Sequence, residues 1–203
     1  MLTYLKRDQI MKYPLFWTNA SIRRKRIYSI AFMLVLAILV TIAGSFVPLS
    51  AQDAQQINEQ INQTRTDNLA NGTLIPYIFL NNFGLCLAMF IPIAGAAFGL
   101  FVMFNTGIAL GATFRAQNIT DAASSAANIS PTTAIIGLVF VMLVFVLEYA
   151  SYSIGISESI WLYRRLTQRR WSELKNTGML IGVVAGLLII GACVETWVIT
   201  MLG

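Results

Sequence analysis

The chain has 203 residues, 57% of them hydrophobic and only 11% charged, with a net charge of +5 and a mean hydropathy of +0.68. An average soluble domain carries about 25% charged residues, so a soluble globular surface is excluded and an integral membrane protein is expected. The chain has no histidine, which excludes a histidine triad, a histidine-ligated metal and a histidine proton switch. The two cysteines, Cys86 and Cys193, lie in apolar runs and point to neither a disulfide framework nor a thiolate zinc site.

Residues 1–26 form a basic N-terminal segment. Leu2, Leu5, Ile10, Leu15, Phe16 and Trp17 stand among Lys6, Arg7 and Lys12, a pattern that predicts an interfacial element on the cytoplasmic leaflet, broken at Pro14. Residues 27–203 read as one transmembrane helical domain. The first apolar run, about 27–48, is long enough to cross a bilayer and longer than the h-region of a cleaved signal. It is expected to be an uncleaved anchor. The polar stretch from Ser50 to Gly72 offers only Ile57 and Ile61 at i,i+4, which predicts a short helix.

The next apolar stretch, Tyr77 to Phe114, is ambiguous by length: two short spans, one very long span or a re-entrant hairpin. Charge excludes the single span. Twelve of the fourteen basic residues fall before the first span (Lys6, Arg7, Lys12, Arg23, Arg24, Lys25, Arg26) or after Tyr163 (Arg164, Arg165, Arg169, Arg170, Lys175). Basic residues stay on the cytoplasmic side. The loops 50–76 and 116–131 then lie outside, and an even number of crossings separates them. The spans expected are about 27–48, 77–95, 96–114, 132–163 and 177–202, with a turn near Pro92 to Gly95. The fold class is all-α: a polytopic transmembrane bundle of about five spans with a short central helical hairpin. The N-terminus is cytoplasmic and the C-terminus outside. Whether the hairpin crosses twice or dips and returns stays open. Trp161, Tyr163, Trp171 and Trp197 sit at span ends, as interfacial aromatics do.

Polar groups inside lipid need a partner or a purpose. The hairpin carries Asn81, Asn82, Asn105 and Thr106, with Gly95/Gly99 and Gly107/Gly111 at small-xxx-small spacing; Gly178, Gly182 and Gly186 repeat that spacing in the last span. These residues fit tight helix packing glued by amides, or a broken-helix cavity of the kind transporters build. In the fourth span Glu148, Ser151, Tyr152, Gly155, Glu158 and Ser159 follow 3–4 spacing and share one face. The face with Val144, Leu147, Ile154 and Trp161 is apolar. Glu148, near mid-bilayer, is either a hydrogen-bonded packing residue or an ion or proton site, with the hairpin asparagines or Arg115 as partners. Glu158 is expected to pair with Arg164 or Arg165. Glu195 lies near the outer interface.

No phosphate-cradling glycine loop, metal-ligand cluster or nucleophile elbow is present. Glu148 and Glu158 stand about 15 Å apart along a helix, too far for one acid/base pair. An enzyme, a cofactor and a metal are therefore not expected. The charge of +5 follows from cytoplasmic anchoring and calls for no nucleic acid.

The stretch from Phe79 to Gly111 resembles the stage II sporulation protein M family of small bacterial and archaeal membrane proteins. The family pattern has an asparagine pair opening a span, two glycines four apart, an Asn-Gly-like turn and a closing glycine. Those positions read Asn81-Asn82, Gly95/Gly99, Asn105-Thr106-Gly107 and Gly111 here. Glu148 is similar to a glutamate of a later span, although the Pro-His-Gly element that often precedes it is absent, with Phe145-Val146 in its place. The resemblance implies about five helices in the cell membrane of a bacterium or archaeon and membership in a membrane complex. It implies a non-enzymatic scaffold or accessory subunit, with lipids and other membrane subunits or a second copy as partners. The alternative is a small transporter or ion-conducting protein using Glu148 and the hairpin asparagines. A hydrated cavity at the Glu148 face would favour transport; a sealed face would favour scaffolding.

Overall fold

The computed structural model describes residues 17, 19–119 and 131–202, with backbone alone at 117–119, 131–134 and 202. The expected interfacial element before Trp17 and most of the second expected loop lie outside the described residues. Those described form six helices and no strand: α1 Ile22–Ser45, α2 Ala51–Ala70, α3 Leu74–Met89, α4 Ala94–Ile119, α5 Pro131–Thr167 and α6 Glu173–Leu202. Parts of α1, α4, α5 and α6 are long and apolar enough to cross a membrane. The chain is a membrane protein. Helix α3, with 16 residues, rises about 24 Å, less than the roughly 30 Å of a hydrocarbon core.

The central stretch is thus a hairpin of unequal helices. Its turn falls at Phe90–Ile93, slightly before the expected position, and Gly95 lies inside the first turn of α4. Ser159 of α5 holds this turn: its hydroxyl donates to the Ile91 carbonyl at 2.6 Å and accepts the Ala96 N–H at 3.1 Å. Ile93 adopts φ 64°, a left-handed conformation that a β-branched residue rarely takes.

The stretch expected to hold a short helix is instead the 20-residue α2. Its ends explain its length. The Ser50 hydroxyl accepts the Asp53 N–H at 3.1 Å at the N-cap. At the other end Gly72 takes φ 66°, while Thr73 N–H bonds Asn68 O and Gly72 N–H bonds Leu69 O, a Schellman closure that suits glycine.

Helix α1 packs chiefly on α4 and α5, α5 on α6, and α3 on α6 and α4, while α2 lies against α4. Between helices in lipid, close van der Waals packing and hydrogen bonds replace the hydrophobic drive. The α1–α4 crossing shows this. A Cβ at Gly44 would strike the Phe104 carbonyl, one at Gly107 the Thr41 carbonyl and one at Gly111 the Ser45 carbonyl, so only glycine lets these backbones touch. Cys86, Met89, Met103, Ile156 and Val184 form the fully buried centre. The outward faces are apolar, with Phe32, Leu39, Phe101, Val139, Met142 and Val183 exposed.

The basic segments meet at one end of the bundle. Arg26 of α1 pairs there with Glu158 of α5 and Glu173 of α6, and Arg165 lies over the same Trp161 ring as Arg26. Arg65 and Arg115 are at the opposite end, beside α2.

Candidate functional site

At the α2 end a cavity of about 510 Å³ opens between α2, α3, α4, α5 and α6. Its roof is the inner stripe of α2, where Ile57 and Ile61 stand one turn apart, with Thr64 and Arg65 beyond them. Thr106 and Ala109 of α4 line it, as do Glu148 of α5 and Glu195 of α6. Gln60, Arg65, Tyr77 and Asn81 are exposed at its margin, so it is open at that end. Towards the basic end it is closed by the packed centre around Met89, Met103, Ile156 and Leu188.

A short chain of amides leads to the acid. Asn81 Nδ2 donates to Asn82 Oδ1 at 3.2 Å, and Asn82 Nδ2 donates to Glu148 Oε1 at 2.5 Å. Across the cavity Arg65 donates to Glu195 Oε1 at 3.2 Å. The asparagine pair is therefore the Glu148 partner, and Arg115 is not: its guanidinium donates to the Val47 carbonyl at 2.7 Å. Among the described residues two carboxylates and one guanidinium line the wall, which leaves an excess acid. Among the described residues no group of three His, Cys, Asp or Glu side chains could hold a metal ion.

The other residues singled out in the sequence divide between packing and a second cluster. Gly95 packs on the Met89 carbonyl, Gly99 on the Ile156 side chain and Gly155 on Met89 and Cys86. Asn105 faces outward and donates to the Phe101 carbonyl at 2.8 Å, leaving Thr106 as the polar group α4 turns to the cavity. Ser151 is buried and donates to Leu147 O, and Tyr152 is buried beside it. Glu158 belongs to the basic end. Its partners are Arg26 at 3.1 Å and the Thr177 hydroxyl at 2.7 Å, not Arg164 or Arg165. The residues read as an apolar face of α5 are partly turned inward too, since Val144 and Trp161 are buried. Helix α5 is central and packs against four helices.

Arg65 was not foreseen as a site residue, and Glu195 only as a hydrated acid. Their 130-residue separation leaves no local pattern to read. Ile57 and Ile61 were the sole hint that α2 has an inner face.

A sequence profile described as Stage II sporulation protein M matches residues 29–199. The chain belongs to the Stage II sporulation protein M family. It matches no curated protein sequence and no solved structure. In this family member the asparagine pair sits at the cavity, the paired glycines serve helix contact, and Glu148 receives the Asn82 amide. Phe145, where the histidine-bearing element would stand, stacks on Tyr149 with ring centroids 3.8 Å apart.

Proposed function

We propose that this Stage II sporulation protein M family member is a non-enzymatic solute-binding membrane protein of the transporter or ion-conducting class. It would sit multi-pass in the cell membrane, basic end cytoplasmic, with the α2 end facing out. The observation that carries the reading is that Glu148 and Asn82 line a cavity open at one end and closed at the other. The excess acid and the amide donors suit a small polar solute bearing one positive charge, held by ion pairing and hydrogen bonds in a low-dielectric wall. Movement of the solute would require the packed centre around Met89 and Ile156 to open while the α2 side closes. Full-length protein in proteoliposomes should take up, or be thermally stabilised by, some member of a panel of alkali-metal ions and small primary and quaternary ammonium ions. Glu148→Gln, whose amide oxygen still accepts from Asn82, should lower that response about tenfold or more while leaving the fold intact. Absence of any response across the panel would overturn the reading.

One observation favours the scaffold or accessory reading instead. A Cβ built at Gly178, Gly182 or Gly186 meets nothing within 4 Å, so this face of α6 is smooth and unfilled. A helix of another membrane subunit could approach it closely. Gly182→Leu would then release a co-purifying membrane subunit without lowering the stability of the isolated chain. Unchanged co-purification would count against this reading.

A further inference from the structure

The basic end contains a second cavity, about 160 Å³, lined by Trp17, Lys25, Trp161, Arg164, Arg165 and Gln168. It shares no residue with the cavity beneath α2 and has no part in the function proposed for that site. Among the described residues three cations and no acid form its wall. Of the described residues at this end, Glu158 and Glu173 are already engaged, both by Arg26, at 3.1 and 2.9 Å. Among the described residues Lys25, Arg164 and Arg165 have no carboxylate partner; Arg165 reaches only Gln168 Oε1, at 3.4 Å.

Trp161 points to the missing charge. It is 8% exposed, and its indole N–H is buried with no acceptor among the described residues. Buried donors in native proteins are nearly always satisfied. The ring already has Arg26 at 5.3 Å and Arg165 at 4.7 Å from its centroid. What the site lacks is an acceptor carrying negative charge. The carbonyls that end α5 would repel an anion, but two of them are occupied: Arg165 O by the Arg170 N–H and Leu166 O by the Arg169 N–H.

We propose that this cavity binds a phosphate group, either in the headgroup of an anionic lipid or as free phosphate. Arg164 and Arg165 supply guanidinium forks matched to phosphate oxygens, Lys25 adds a point charge, and the Trp161 N–H gives its hydrogen bond to one oxygen. The setting is an interfacial one, with tryptophans beside a basic patch, where lipid phosphates lie.

The test uses the full chain in detergent, with two probes. One arm measures retention of phosphatidylglycerol against phosphatidylcholine by native mass spectrometry; the other measures thermal stabilisation by inorganic phosphate. Preference for phosphatidylglycerol assigns the site to a headgroup, and stabilisation by inorganic phosphate alone assigns it to the free anion. In whichever arm responds, Arg164→Gln with Arg165→Gln should weaken binding about tenfold or more. Trp161→Phe, which keeps a ring between the arginines, should weaken it severalfold. Arg170→Gln with Lys175→Gln, which removes equal charge outside the cavity, should leave it unchanged. Equal losses in the two double variants, or no response in either arm, would overturn the proposal.

Discussion

Thr41, buried in α1, accepts the Tyr149 hydroxyl at 2.8 Å and has the Ala37 and Met103 carbonyls, at 2.9 and 3.1 Å, available for its own proton. One small side chain thus ties α1 to α4 and α5. Thr41→Val keeps the shape and strands the Tyr149 hydroxyl, so stability should fall by about 1–2 kcal/mol, read as a lower thermal midpoint of the purified protein; Thr41→Ser should be near neutral. Arg26 is a stronger case, because it faces two acids and the Glu158 side chain is only 4% exposed. Arg26→Ala should destabilise by about 3–5 kcal/mol by leaving buried charge unpaired, and adding Glu158→Gln should recover much of that loss. The sequence already marked Glu148 as needing a partner and named the asparagines among the candidates, since an acid within an apolar run has few polar neighbours to choose from. For Glu158 the nearest basic residues in sequence were the wrong ones. Arg164 and Arg165 follow it on the same helix, yet the pairing is with α1 and α6, which only tertiary packing brings close.

At the scale of whole helices, glycines with the same spacing have opposite fates. Gly107→Ala would drive a methyl into the Thr41 carbonyl across the α1–α4 crossing, and because backbone cannot yield as a flexible side chain can, a loss of about 2 kcal/mol or more is expected. Gly182→Ala meets nothing and should raise stability by about 0.5–1 kcal/mol through helix propensity. Thermal unfolding of the two variants side by side checks both signs. Spacing alone could not separate them, because it states that a helix can be approached and not that it is. The turn at Phe90–Ile93 gives a further case: Ile93→Gly removes the left-handed strain at φ 64° and should stabilise by up to about 1 kcal/mol, the gain being partly offset by glycine's chain entropy. Helix α2 was the element least legible beforehand. It is polar on most of its surface, so Ile57 and Ile61 at i,i+4 announced only a short helix, and the caps at Ser50 and Gly72 set its full extent.

For the whole molecule, charge placement was the most informative feature of the sequence. It required an even number of passes through 77–114, and the structure supplies an unequal antiparallel hairpin there, with the two basic segments brought to one end. The cavity was not legible, because it exists only where five helices diverge, and its two acids come from different helices, Glu148 from α5 and Glu195 from α6. Its access can be measured. In a Cys193→Ser background, Thr106→Cys should react with a small water-soluble maleimide, whereas Cys86, fully buried in the packed centre, should not. Labelling of neither thiol would mean that the cavity is closed to solvent.

The ion pairs at the two ends of the bundle differ in how far water surrounds them. Arg26 and Glu158 have side-chain exposures of 19% and 4%, whereas Arg65 and Glu195, joining α2 to α6, have 47% and 21%. Dissolved ions screen exposed charges over about 10 Å at 0.1 M and about 3 Å at 1 M, and buried charges far less. Ionic strength should therefore act more strongly on the Arg65–Glu195 pair, loosening the roof helix while the Arg26–Glu158 clasp at the other end holds. The bathing electrolyte, and not only a bound solute, would then help to set how wide the entrance stands.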